Sequence, residues 1–352
     1  MSKPRVAVVG IGRLGSFHTN LVIAGDLFDL VAIVEPVEAA RHVATEEFSV
    51  RGVANISEIV EAIDCAIIAT PTIYHFEVAQ ELLKAGKHLL IEKPITLELA
   101  QANDLIALAE AKELILQVGH VERFNPAFSA VASHVSTPLF IDAVRTTNYS
   151  FRSTDIGVTL DLMIHDIDLV LSLVDSPIAA IDAVGSVVIG PHEDIANARL
   201  TFENGTFANL TASRVNSEPQ RTMRIEGPRG STKIDFETPT AYTIDVSTQT
   251  ESLQIDLPNT SEELKDLQAR FFVDYLPKTE IDIPDGNALA MEQEDFATAI
   301  TNGEAVQVSG RDGRDALAVA IEIANQIRSK HQASPHAIKG PHFATDTAKS
   351  QV

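Results

Sequence analysis

The chain has 352 residues, 45% of them hydrophobic, with 27 basic against 49 acidic side chains and a formal charge of −22. That length exceeds the usual single domain and supports two cores. The negative balance repels phosphate backbones and anionic bilayer surfaces, so nucleic acid is excluded as an expected partner. The single cysteine, Cys65, rules out an internal disulfide; within Ala62-Ile63-Asp64-Cys65-Ala66-Ile67-Ile68 it reads as a small core residue, not a reactive thiol. Met1-Ser2-Lys3-Pro4 leads straight into a strand without a signal-peptide pattern, and no window is long and apolar enough to cross a bilayer. The expectation is a cytoplasmic protein with no membrane partner.

Arg5 to Val9 is a short aliphatic β run ending in Gly10-Ile11-Gly12-Arg13-Leu14-Gly15, after which Ser16 to Ala24 has helical character. A strand, a G-x-G-x-x-G loop and a helix in that order form a dinucleotide fingerprint. Gly10 permits the tight turn, Gly12 lets backbone approach a pyrophosphate, and Gly15 allows the helix to pack on the strand. The pyrophosphate then meets the open N–H groups of the helix start. Leu30 to Val34 is the next strand. It ends in Glu35, twenty residues past Gly15, where an acid accepts hydrogen bonds from ribose hydroxyls and repels a 2′-phosphate. NAD is therefore expected over NADP, with Arg41 the only nearby cation to argue otherwise.

A helix over Ser57 to Ala62, the strand Cys65 to Ala69, a helix over Phe76 to Ala85 and the strand His88 to Ile91 continue the βα alternation. Short connections between such units argue a Rossmann-type doubly wound parallel sheet. Thr70, Pro71 and His75 follow a strand's carboxyl end, the cofactor side of such a sheet; His75 reads equally as a helix-capping residue. The strand through Ile91 stops at Glu92-Lys93-Pro94, an acid, a base and a proline where open α/β sheets keep their chemistry. A loop lysine before the next helix is the bland alternative. An amphipathic helix over Leu97 to Lys112 returns through Leu114 to Val118 to the run Gly119-His120-Val121-Glu122-Arg123-Phe124-Asn125-Pro126.

The glycine loop with His18 behind it, Thr70-Pro71 with His75, Glu92-Lys93-Pro94 and the run Gly119 to Pro126 together resemble the Gfo/Idh/MocA oxidoreductase family. The resemblance implies an NAD-binding domain over residues 1–121, a substrate-binding and catalytic α+β domain over 122–335, and a polar tail over 336–352. It implies cofactor contacts from Gly10, Ile11, Gly12, Arg13, Leu14, Gly15, Glu35, Thr70, Pro71, His75, Glu92, Lys93 and Arg123. It also implies a homo-oligomer, dimer or tetramer.

Beyond Pro126 the pattern changes to alternating strands: Pro138 to Asn148, Ala179 to Ile189, Ala196 to Phe202, Thr206 to Arg214, Thr222 to Glu226, Ser231 to Phe236 and Tyr242 to Val246. Glu203-Asn204-Gly205 and Gly227-Pro228-Arg229-Gly230 punctuate them as hairpin turns. The expected second sheet is mostly antiparallel and open. Between the first two strands, Gly157 to Asp168 reads as an apolar helix that carries Asp161 and His165 four residues apart, on one face. A carboxylate beside an imidazole fixes its tautomer and raises its basicity; a satisfied buried pair, or half of a metal site, fits the same spacing. Asn259 to Lys278 is polar and then aromatic, a flap or a surface insertion. Helices are expected near Ala288 to Thr301 and Asp312 to Ser329.

By the resemblance, Lys93, Asp161 and His165 form the catalytic group, and no metal is required. In one assignment His165 is the base, Asp161 orients it and Lys93 stabilises charge on the same oxygen. In the other, Lys93 is the base, its ammonium disfavoured by the nicotinamide charge. Arg152 joins Lys93, Asp161 and His165 as an expected substrate contact. Arg145, Arg152 and Arg214 suit a diphosphate and read equally as strand-edge cations. Within the family, Gly119 to Pro126 with Phe151 to Asp155 and Leu162 to Asp168 is similar to the subgroup that oxidises the 3-hydroxyl of UDP-N-acetylglucosamine, on the way to a modified lipid A. Another sugar or polyol dehydrogenase, acting on inositol or a UDP-uronic acid, or a cofactor-binding regulator without turnover are the alternatives.

Overall fold

The computed structural model describes residues 3–132, 134–135, 137–151, 156–189, 191–252 and 260–333. The chain forms two compact units: Met1–Phe124 with Asn287–Val319, and Asn125–Gly286 with the residues from Ala320 onward.

In the first unit β1 (Arg5–Val9), α1 (Arg13–Ala24), β2 (Asp29–Val34), α2 (Glu38–Phe48), β3 (Gly52–Val53), β4 (Cys65–Ile68), α3 (His75–Lys84), β5 (His88–Glu92), α4 (Leu99–Ala111) and β6 (Leu116–Gly119) follow in order. The strands form one parallel sheet in the order β3-β2-β1-β4-β5-β6. Its order turns outward in both directions from β1, and that reversal opens a crevice at the carboxyl ends of β1 and β4. The expected helix over Ser57 to Ala62 is instead two 3₁₀ turns, Ile56–Glu58 and Val60–Ala62. Glu58 caps the first of these turns: its Oε1 accepts the N–H groups of Ala54 and Asn55 at 3.1 and 2.9 Å.

The second unit contains α5 (Pro126–Ala132), β7 (Phe140–Thr146), α6 (Ile164–Leu173), β8 (Ile178–Ser186), β9 (Ile195–Phe202), β10 (Phe207–Ser213), β11 (Gln220–Gly227), β12 (Gly230–Asp235), β13 (Thr240–Asp245), α7 (Thr248–Glu251), α8 (Ser261–Arg270) and β14 (Lys278–Ile281). Its eight strands run β14-β13-β12-β11-β7-β10-β9-β8. Every neighbouring pair is antiparallel except β7 with β10. Alternate residues Ile141 and Ala143 of β7 and Ala208, Leu210 and Ala212 of β10 are fully buried, as are Ile164, Ile167, Leu169 and Val170 of α6, which packs against both strands. The expected helix from Gly157 begins as a π-helical turn, Thr159–Met163, and continues as α6. No residue of α8 is buried; a capping box of Thr260 and Glu263 and ion pairs from Arg270 to Asp266 and Asp274 support it. The part of the expected insertion that lies in the described residues is thus a helix, a π turn at Phe271–Tyr275 and an edge strand.

Two further helices follow, α9 (Ala288–Asn302) in the first unit and α10 (Gly310–Ala333), which starts there and ends in the second. Phe296 of α9 is fully buried among Val6, Val8, Phe28, Ile33, Cys65, Ile67 and Leu90 of the first unit's core. Burial pushes the Cys65 thiol well above its ordinary pKa, in keeping with a core residue. Arg152 and the expected tail over 336–352 lie outside the described residues.

Candidate cofactor and active site

β1 delivers the chain to Gly10, which sits at φ +84°, and a Cβ there would meet the Thr70 backbone at 2.8 Å. Nothing lies within 4 Å of a Cβ placed on Gly12, so a ligand can approach the loop at that residue. Gly12 precedes α1 without a side-chain capping hydrogen bond among the described residues, which leaves first-turn N–H groups for an anion. Arg13 and Leu14 are exposed on the same loop. Glu35, at the end of β2, accepts the Ile11 N–H at 3.2 Å and the Val37 N–H at 3.0 Å, which pins its carboxylate beside the glycine loop. Arg41 is turned to backbone: its Nη1 donates to the carbonyls of Glu35 and Pro36. A pyrophosphate over the loop and ribose hydroxyls on Glu35 fit this arrangement.

At the end of β5 the acid turns inward and the base does not. Glu92 is buried and Lys93 half-buried, with a cis peptide between Lys93 and Pro94. Glu92 Oε1 meets His18 Nε2 at 2.9 Å, and its Oε2 accepts the Lys93 N–H at 3.2 Å. Burial alone would raise the Glu92 pKa; the His18 hydrogen bond and the Lys93 charge outweigh it, and the carboxyl titrates below its ordinary value. His75, buried at the start of α3, places Nδ1 on the Pro94 carbonyl at 3.0 Å and Nε2 on the Thr70 carbonyl at 2.9 Å. Burial lowers its pKa, and a neutral ring donates to one of these two carbonyls while it packs between the ends of β4 and β5. Arg123 is buried in the turn Val121–Phe124, 3.9 Å from Asp312, and its carbonyl accepts from Gln307.

In the second unit the π turn and α6 present Asp161 and His165 half-buried, while Met163, Ile164, Asp166, Ile167 and Asp168 beside them are buried. π turns inside helices recur at functional sites. Glu193 secures the start of this segment: Val158 N–H donates to its carbonyl at 2.8 Å and Thr159 N–H to its Oε1 at 3.3 Å. Gly157 makes room for it, since a Cβ there would lie 1.9 Å from the Glu193 carboxylate. Beneath the helix Arg145 holds Asp166 in a two-bond fork, at 3.0 and 2.8 Å. Arg214 donates to Asp194 at 2.7 Å and to the Ile156 carbonyl at 2.9 Å. Neither is a strand-edge cation; both guanidinium groups are buried on carboxylates.

A family model described as "Oxidoreductase family, NAD-binding Rossmann fold" matches residues 4–120, and one for the Gfo/Idh/MocA C-terminal domain matches 128–233. UDP-N-acetylglucosamine 3-dehydrogenase of Acidithiobacillus ferrooxidans is 35% identical over 324 residues, 91% of this chain and 96% of that protein. The chain belongs to the Gfo/Idh/MocA family. Its cofactor is accordingly NAD, and it is a dehydrogenase. A solved structure of the same A. ferrooxidans enzyme superposes with a TM-score of 0.81 at 32% identity, over 94% of this chain and 99% of that one. scyllo-Inositol 2-dehydrogenase of Bacillus subtilis is 27% identical over 92% of this chain and 94% of its own length.

Within each unit the family pattern gathers some of the expected residues. Gly10 to Gly15, Glu35 and Thr70 share one end of the parallel sheet, where Glu92 ends the neighbouring strand and Lys93 follows it; Asp161 and His165 share one helical segment. Sequence reasoning missed Glu193, Glu292 and Gln293. Gln293 Nε2 lies 3.0 Å from His18 Nδ1 and 3.3 Å from the His18 carbonyl, which fixes the amide orientation. A signal for Glu292 was present: it stands four residues before Phe296, on the apolar stripe of its helix.

Proposed function

We propose that this protein oxidises the 3-hydroxyl of UDP-N-acetylglucosamine with NAD. The observation that carries the reading is the end-to-end likeness to a UDP-N-acetylglucosamine 3-dehydrogenase, at 35% identity over 96% of that enzyme's length. NAD, when bound, supplies the hydride acceptor, with Gly10 to Gly15 and Glu35 holding its pyrophosphate and ribose and with Thr70, Pro71 and Arg123 on the same binding surface. His165 takes the hydroxyl proton, oriented by Asp161. Lys93 donates a hydrogen bond to that oxygen and stabilises the charge that develops on it. Arg152 contacts the substrate. A polyol such as inositol is the second reading, favoured by the match to scyllo-inositol 2-dehydrogenase over nearly the whole chain. Incubation with NAD and a panel of UDP-sugars and free polyols, followed by absorbance of the reduced cofactor, separates the two. Turnover of UDP-N-acetylglucosamine above all others is expected. Turnover of free inositol alone would favour the second reading, and tight NAD binding without turnover on any substrate would overturn both.

A further inference from the structure

Beneath Lys93 the first unit buries four polar side chains from distant parts of the chain: His18, Glu92, Glu292 and Gln293. Gln293 must donate through Nε2, because one of its acceptors is a carbonyl. His18 Nδ1 therefore accepts, and the His18 proton sits on Nε2, where it is donated to Glu92. The imidazole N–H thus faces Glu92, whose other oxygen holds the Lys93 N–H. Glu292 completes the group. One oxygen from it, one from Glu92 and one nitrogen from His18 all lie within 4.8 Å of one another, yet neither Glu292 oxygen has a hydrogen-bond partner among the described residues. The spacing would admit a metal ion, but both His18 nitrogens are already committed to hydrogen bonds and leave no lone pair for one.

We propose that Glu292 is a positioning residue for Lys93, acting through Glu92: its uncharged carboxyl leaves Glu92 as the single carboxylate of the group, free to hold the Lys93 peptide. Two ionised carboxylates this close and this dry repel, and one must take a proton. Burial, followed by the charges of Glu92 and Asp295, pushes Glu292 well above the ordinary carboxylate range, so the proton is on Glu292. The surrounding elements do not reverse this. α1 offers His18, whose N–H is turned to Glu92, and the β5 end offers Glu92 and Lys93. The residue after β6 is His120, which burial and then the charges of Arg123 and Lys93 lower to about 3. The turn Val121–Phe124, packed against α9, brings Glu122 and Arg123. When pH rises far enough to ionise Glu292, the second charge drives Glu92 off its partners and the Lys93 backbone loses its hold.

The effect on turnover rests on the reading that Lys93 acts at the substrate; the effect on stability does not. A carboxyl whose pKa is raised by folding contributes stability that is present below its unfolded value and is lost as pH rises toward the folded one. Thermal unfolding of the full chain between about pH 5 and about pH 9 should therefore show Glu292→Gln gaining on wild type as pH rises; a difference that is flat with pH would overturn the assignment. Infrared difference spectra of the wild-type protein should show a protonated-carboxyl carbonyl band at neutral pH that is missing from E292Q. If E292Q does not fold, that band must disappear in the wild type over the same alkaline range in which turnover falls, and its absence at neutral pH would refute the idea. In E292Q the alkaline fall in turnover should move to higher pH; a limb that stays in place removes the positioning role. A missing infrared band with Lys93→Ala inactive would refute the Glu292 assignment alone, and a band present with Lys93→Ala fully active would refute the catalytic assignment alone.

Discussion

Each unit places a buried polar support under the residue on which its chemistry is proposed to depend, and the two supports are built differently. Under Lys93 a histidine, an amide and two carboxyls share one negative charge, and the arrangement depends on where a proton sits. Under Asp161 and His165 two arginine–carboxylate pairs, Arg145 with Asp166 and Arg214 with Asp194, balance charge outright, and the planar guanidinium fork sets direction. The lesson is that a strand end and a helix face can be held equally firmly by different chemistry, the first tied to proton count and the second to geometry.

The comparison breaks most visibly at the groups above the supports. Lys93→Ala and His165→Ala are each expected to lower turnover by about 10²–10⁴-fold while NAD binding persists, read by steady-state kinetics and by cofactor titration; near wild-type rates in either would end the catalytic assignment. Next in size, Asp166→Ala removes the two-bond carboxylate partner of a buried guanidinium and should cost about 3–5 kcal/mol in denaturant unfolding. A loss no larger than that of a surface substitution would mean that the Arg145 pair supports nothing. At the cofactor end, Glu35→Ala should forfeit about 1.5–3 kcal/mol of NAD affinity and narrow the preference over NADP; a wild-type preference for NADP would contradict the role given to that acid. The smallest effect sharpens the contrast: Gln293→Leu leaves His18 Nδ1 without its donor and should cost about 1–3 kcal/mol, less than the charged pair of the second unit.

The parallel sheet was legible because its signals are local. A glycine loop, aliphatic runs of strand length and short connections lie within a few residues of one another, and β1 to β6 follow from them. The second sheet was legible through alternation in β7 to β13. β14 was not, because Lys278-Thr279-Glu280-Ile281 is a short edge strand with three exposed residues and no buried face to write a pattern. The supports were hidden for a different reason. Glu292 falls in line with Phe296, but Glu292-Gln293-Glu294-Asp295 is otherwise a polar run, and only the fold brings Gln293 to His18, more than 270 residues away. Glu193 is hidden likewise, since its tie to Gly157 and Thr159 appears in no local spacing. The π turn that opens the Asp161 segment has no composition signature at all.

None of α8's ten residues is buried, so its backbone is held by its own cap and by exposed ion pairs. A helix of that length is marginal in water when left to itself, and ion pairs at the surface fade as salt rises. The chain therefore carries its own cleavage point: among the described residues, trypsin given a brief exposure should nick first after Lys265 or Arg270, and sooner in concentrated salt, while both sheets stay whole.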